Sequence, residues 1–153
     1  MQVMSHPLGD RKLAQIAFVV RDIEAAIGRW CAVLDCERPP VIVTDPGNEV
    51  NAIYRGSPTN AQAKLAFFDL GGVQLELIEP IGTDSAWAEG LDEKGERFHH
   101  LAFWVDDMNS ARTYLAEREI PEVQRGDMGS GEYAYFDGKT PLSAMIELLF
   151  RGK

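Results

Sequence analysis

The sequence predicts an α+β fold: two tandem βαβββ modules that share one curved sheet. Three observations predict it. First, Gln15-Ile16-Ala17-Phe18-Val19-Val20-Arg21-Asp22 aligns with His100-Leu101-Ala102-Phe103-Trp104-Val105-Asp106-Asp107 at a constant offset of 85 positions. Ala, Phe, Val and Asp recur in register, and a repeat on this scale governs the whole fold. Second, each copy is an apolar, strand-like run ending at an Asp, where a helical pattern begins. Third, each helical pattern is followed by short strand-like runs separated by turn residues.

The first helix is expected from Asp22 to Leu34, because Ile23, Ala26, Ile27, Trp30 and Leu34 recur at three- and four-residue spacing. The second is expected from Met108 to Arg118, with Met108, Ala111, Tyr114 and Leu115 on its stripe. Asp22 and Asp107 are suited to cap them, each accepting from an otherwise orphaned backbone N–H. After the first helix, strands are expected over 41–44, 50–55, 64–70 and 73–79, with Gly71-Gly72 as a two-residue hairpin turn. After the second they are expected over 122–124, 132–136 and 144–150, with Asp137-Gly138 turning the chain between the last two. Between the modules, residues 81–95 predict a short helix that starts at Thr83 or Asp84 and ends at Gly90 or Gly95.

Polar residues inside these apolar strands carry the functional signal. Gln15 opens the first repeat strand and His100 opens its counterpart. Glu76 interrupts Leu75-Glu76-Leu77, and Glu147 interrupts Ile146-Glu147-Leu148 at the matching place. A single Glu in a strand usually faces solvent, and a single His is usually structural. Four such residues in matching repeat positions carry more weight, because a pseudo-two-fold axis would gather them at the middle of the sheet. A buried carboxylate is costly unless paired. Two carboxylates, an imidazole and an amide oxygen have an obvious shared partner, one divalent cation such as Zn, Ni, Co, Mn or Fe. His99 precedes His100, and strand neighbours point to opposite faces, so the repeat selects His100 for the site and leaves His99 structural or at the rim.

Composition narrows the functional classes. The chain has 153 residues, a size that suits one compact domain, and its net charge is -9. The fifteen Lys and Arg are scattered, which argues against a nucleic-acid partner. The apolar runs are short and charge-interrupted, so no membrane span is expected. Met1 to Lys12 lacks a signal-like apolar stretch, and the cytoplasm is the expected location. Cys31 and Cys36 have neither zinc nor redox spacing, and read as two reduced thiols with Cys31 in the core. Trp87, Trp104 and Tyr135 are expected mainly as packing residues that could also line an aromatic pocket.

From about Lys12 to Phe150 the chain resembles the vicinal oxygen chelate superfamily, which includes glyoxalase I, methylmalonyl-CoA epimerase, extradiol dioxygenases and bleomycin- and fosfomycin-resistance proteins. The resemblance implies one domain over 12–150, with modules at about 12–80 and 97–150. Their strands would form a cupped mixed sheet with the helices outside. It also implies that Gln15, Glu76, His100 and Glu147 hold the metal. Segments 75–85 and 98–107 are similar to methylmalonyl-CoA epimerases in wording. Gln15 stands where many relatives have His, and Asn51 aligns loosely with a second catalytic Glu of some epimerases.

The implied function is a metal-dependent isomerase or glyoxalase-type lyase that moves a proton next to a substrate carbonyl. Glu147 is the first choice of base, with Glu76 the steadier ligand. An acyl thioester or α-keto compound would be the substrate, and a homodimer the assembly. The alternative is a metal-free binding protein that sequesters a small molecule in the same cup. Oxygen activation needs two His and a carboxylate, and only His100 is available. The segments 45–51, 57–62, 87–97 and 124–131 are expected to set substrate choice, and Arg55, Lys64, Arg97 and Lys139 are the candidates for an anionic group.

Overall fold

A computed structural model describes residues 5–152, so the reading of the first four residues lies outside it. The chain runs β1 (Gln15–Val19), α1 (Ile23–Leu34), β2 (Ile42–Val43), β3 (Ile53–Tyr54), β4 (Ser57–Pro58), β5 (Gln62–Asp69), β6 (Gln74–Ile81) and α2 (Leu91–Lys94). It continues with β7 (Arg97–Trp104), α3 (Met108–Ala116), β8 (Glu122–Met128), β9 (Gly131–Phe136), α4 (Lys139–Leu142) and β10 (Met145–Phe150). The strands form one mixed sheet in the order β2-β5-β6-β1-β7-β10-β9-β8-β3-β4. The first eight positions are palindromic under the repeat, with β1 matching β7, β6 matching β10, β5 matching β9 and β2 matching β8. This is the expected α+β architecture.

The register makes the symmetry concrete. In the antiparallel pair of β1 and β7, Ile16 faces Leu101, its own counterpart in the repeat. The axis therefore passes through that pair and exchanges Gln15, opposite Ala102, with His100, opposite Ala17. The parallel partners obey the same rule: Glu76 faces Ala17 on β1, and Glu147 faces Ala102 on β7.

Helix packing explains why the carboxylate-bearing strands are apolar on both faces. Asp22 accepts from Ala25 N and caps α1, and Asp107 accepts from Asn109 N and Ser110 N and caps α3. Ile23, Ala26 and Ile27 of α1 pack on Leu75 and Leu77, while Met108, Ala111 and Leu115 of α3 pack on Ile146 and Leu148. Alternation then turns Glu76, Ile78, Met145 and Glu147 to the other, concave face. There Ala17, Ile78, Trp87, Tyr135 and Met145 form a separate cluster. The Gly71-Gly72 turn has positive φ at both residues (75° and 100°), and Leu70 N donates to Val73 O across it, as a tight hairpin of primed type requires.

Four expectations are corrected. Residues 50–55 do not form a strand of the first half. Only Ile53–Tyr54 is extended, and it pairs with β8 of the second half. The segment between β2 and β5 thus crosses the open side of the sheet and clasps its far edge, where Asp127 N donates to Val50 O and Asn51 Nδ2 to Asp127 Oδ2. The helix expected from Thr83 or Asp84 begins only at Leu91 and ends at Lys94, with Gly95 as its C-cap. Before it, Thr59 Oγ1 donates to Asp84 O and Ala86 N to Gln124 Oε1, so tertiary partners satisfy the backbone in place of a helix. After Asp137-Gly138 the chain makes the short helix α4 before entering β10. Cys31 is only half-buried, at the margin of the α1 cluster, and both cysteines are free. Among the described residues no helix is long and apolar enough to cross a membrane.

Candidate metal centre

The sheet register brings all four candidate residues to one face. One row across the strands reads Gln74, Gln15, Ala102, Glu147, and the next reads Glu76, Ala17, His100, Met145. Residues two apart on a strand share a face, so both rows look into the concavity. The repeated alanines, Ala17 and Ala102, stand between the polar residues and leave room above the sheet.

Glu76, His100 and Glu147 are buried and offer ligand atoms within 4.8 Å of one another. His100 Nε2 lies 3.1 Å from Glu147 Oε1 and 3.3 Å from Glu76 Oε1. Neither approach is aligned as a hydrogen bond, and Glu76 Oε1 and His100 Nε2 have no other partner. Gln15 Nε2 donates to Gln74 Oε1 at 2.9 Å, which leaves Gln15 Oε1 buried and without a partner. Orphaned polar atoms in a dry interior are expensive. Three of them, contributed by an amide, a carboxylate and an imidazole beside a second carboxylate, fit a divalent cation of the N,O-binding type.

The electrostatics agree with that fit. Burial works to lower the pKa of His100, but Glu147 and Glu76 outweigh it and lift it to about 9. Burial raises the pKa of Glu76, against the lowering effect of His100. A buried pair of carboxylates thus holds one positive charge, supplied by the imidazolium when nothing else supplies it.

His99 departs from expectation. Ala17 faces His100 while Phe18 faces Phe98, so β7 carries one extra residue at this point. Such a bulge breaks the alternation that would have sent His99 to the opposite face. Instead its Nδ1 lies 2.8 Å from His100 Nδ1, and its Nε2 lies 2.8 Å from Ala86 O. The Ala86 carbonyl can only accept, so His99 donates through Nε2–H and its Nδ1 accepts from His100 Nδ1–H. This leaves His100 Nε2 as the atom facing the carboxylates, the arrangement in which a neighbour sets the ligand's tautomer. Burial, with the nearby charge of His100, pushes His99 down to about 3, so it stays neutral.

A cavity of about 300 Å³ opens beside the cluster and is lined by Gln15, Glu76 and Glu147. That volume is at the small end for ligand pockets. Each of the four segments expected to set substrate choice reaches it, through Asp45, Ala61, Trp87 and Met128.

A family model described as the Glyoxalase/Bleomycin resistance protein/Dioxygenase superfamily matches residues 14–136. The chain belongs to this superfamily. It is 31% identical over 111 residues to the mitochondrial methylmalonyl-CoA epimerase of Bos taurus, covering 71% of this chain and 55% of that protein. It is 34% identical over 73 residues to the uncharacterized protein YqjC of Bacillus subtilis (strain 168), covering 48% of this chain and 52% of that one. The chain thus spans about half the length of these curated relatives. The crystal structure of methylmalonyl-CoA epimerase from Mycobacterium tuberculosis matches with a TM-score of 0.64 at 18% identity, over 100% of this chain and 94% of that chain. At that identity the likeness is one of fold.

Within the superfamily cup two phenols stand out: Tyr135, expected to pack and able to line an aromatic pocket, and Tyr133, which carried no functional expectation. Tyr135 faces Glu147 on the neighbouring strand and accepts from Trp87 Nε1 at 2.9 Å. Tyr133 accepts from Gln124 Nε2 at 2.9 Å. Burial pushes Tyr133 up to about 12 and raises Tyr135 well above its ordinary value, so both remain protonated. Each oxygen already accepts a bond, and its own O–H remains to donate. Trp87 and Tyr135 both pack and line the cavity, whereas Trp104 lies under the Arg151 guanidinium and does not reach it. Asn51 does not line the cavity either; it holds Asp127 in the clasp.

Proposed function

We propose that residues 12–150 form a metal-dependent enzyme that moves a proton next to a substrate carbonyl, in the manner of an epimerase or isomerase, or of a glyoxalase-type lyase. The observation that carries this reading is the buried Glu76–His100–Glu147 cluster, with the unpartnered Gln15 oxygen beside it, at the wall of a ligand-sized cavity. The 31% identity to the mitochondrial methylmalonyl-CoA epimerase of Bos taurus supports the reaction class.

Gln15, Glu76, His100 and Glu147 would hold one divalent ion of the Zn, Ni, Co, Mn or Fe kind. When bound, the ion supplies Lewis-acid polarisation of a substrate oxygen and stabilises negative charge there. The chain supplies the rest. Glu147 lines the cavity and is the base that takes the proton from the carbon next to the carbonyl. Return of that proton from Glu147 to the adjacent carbon gives the isomerised product, whereas epimerisation takes a proton from water on the opposite face while Glu147 releases its own to solvent. Glu76 would serve as the fixed carboxylate ligand. His99 holds the His100 ring in place, and the Tyr133 and Tyr135 hydroxyls offer donors to substrate oxygens. The apolar wall of Leu65, Phe67, Trp87 and Leu149 keeps water from the developing charge.

Solvent exchange tests the reaction directly. Metal-loaded protein in D₂O is expected to exchange the α-proton of an acyl thioester or an α-keto hemithioacetal, and Glu147→Gln should slow exchange by roughly a hundredfold or more. A loaded protein that exchanges no member of such a panel contradicts the reading. Ligand binding without exchange would instead favour sequestration.

A further inference from the structure

The charge around the cup says which substrates it takes. Among the described residues that line it there is no Lys and no Arg. Four carboxylates line it instead: the buried Glu76 and Glu147 at the base, and the exposed Asp45 and Asp127 at the mouth. Asp127 accepts from Asn51 Nδ2. The cationic side chains offered for an anionic group are engaged elsewhere. Arg55 pairs with Glu89, and Lys64 pairs with Glu79. Arg97 and Lys139, with Lys94, line a second cavity of about 230 Å³ that shares no lining residue with the first.

We infer that the cup selects an uncharged substrate end: an apolar acyl or keto body with neutral oxygens, and no free carboxylate. This rests on reading the cup as the substrate site and names the class of molecule it takes. One divalent ion would balance Glu76 and Glu147, leaving Asp45 and Asp127 to repel an incoming anion. No side chain on the lining offers an opposing positive charge. What the lining does offer is suited to a neutral guest. Phe67, Trp87, Leu65 and Leu149 cover an apolar body, and the hydroxyls of Tyr133 and Tyr135 donate to carbonyl or hydroxyl oxygens. Methylmalonyl-CoA carries a carboxylate on its acyl end, so by this inference the cup disfavours the substrate for which those relatives are named.

Binding of matched probes to the metal-loaded full chain tests this without reference to turnover. The first pair is the N-acetylcysteamine thioester of propionate against that of methylmalonate, which differ by one carboxylate. The second is pentane-2,3-dione against 2-oxobutyrate. Two like charges at a water-exposed mouth weaken an anion by roughly tenfold at low ionic strength. The neutral member of at least one pair is expected to bind about tenfold tighter than its anionic partner. In Asp45→Asn/Asp127→Asn the ratio between the neutral and anionic members of that pair should shrink to threefold or less. Tighter or equal binding of the anionic member in both pairs overturns the inference, as does failure of both neutral probes to bind. Neutral binding without α-proton exchange leaves the inference standing and removes only the proposed reaction.

Discussion

The two halves of the sheet are copies in their inner strands and differ in what surrounds them. β1 with β6 and β7 with β10 obey the two-fold so closely that Ile16 pairs with its own counterpart. Yet the symmetry-related ligand positions are Gln15 and His100, one a weak neutral donor and the other a strong one. Their supports differ in the same sense. Gln15 is held by a single amide contact from Gln74, whereas His100 is held by His99, which a bulge turns inward and Ala86 anchors. Strand register thus places both residues, and local irregularity decides how firmly each is held. The outer parts differ as well: the first half sends a segment across the opening, and the second half receives it on β8.

The sharpest contrast lies between His100 and His99, and pH is the widest lever on it. The folded pKa of His100 is raised to about 9. In metal-free protein its contribution is fully present below the unfolded value near 6.5 and is lost as pH rises through 9. His99 is lowered to about 3. Its contribution is present above 6.5 and is lost as pH falls toward 3. At full extent the effects are on the order of 3 kcal/mol for His100 and 5 kcal/mol for His99. Denaturant unfolding across pH 4–10 should therefore show a maximum near 6.5 for the histidine contribution. In His99→Phe the acid-side loss should shrink while the alkaline-side loss stays; a mutant whose acid side is unchanged breaks the comparison.

Metal affinity gives the next largest effect. His99→Phe keeps ring volume and removes the contact to His100 Nδ1, and is expected to weaken metal binding by about 10- to 100-fold with the fold intact. Calorimetric titration on apo protein checks it, and unchanged affinity would reduce His99 to a packing residue. Gln15→His makes the two halves chemically alike and should tighten binding by about tenfold, because imidazole is a better donor than an amide oxygen. Looser binding after that change would mean that Gln15 is not aimed at the ion.

Much of this was legible in the sequence for a definable reason. The repeat offset, the caps at Asp22 and Asp107 and the Gly71-Gly72 turn are local signals, and the four polar positions follow from register once the duplication is seen. The clasp over 50–55 was not legible, because its partner β8 lies some seventy residues away and a two-residue strand leaves no alternation to read. The bulge at His99 escaped for a related cause: strict alternation is the default, and only pairing with β1 reveals the extra residue. Residues 82–90 carry helix-like punctuation, but Gln124 and Thr59 meet their backbone groups and make a helix unnecessary. Tyr133 gave no sequence signal apart from being an aromatic residue in a strand.

The most direct test is metal content. Purified apo protein is refilled with Mn²⁺, Co²⁺ or Zn²⁺, desalted and analysed, with His100→Ala treated alongside and its fold checked by circular dichroism. The expected result is one equivalent per chain for the unaltered protein with at least one of these ions, and none for a folded His100→Ala. A metal-free protein under all three conditions, or a His100→Ala variant that keeps its full equivalent, contradicts the assignment of this cluster as a metal centre.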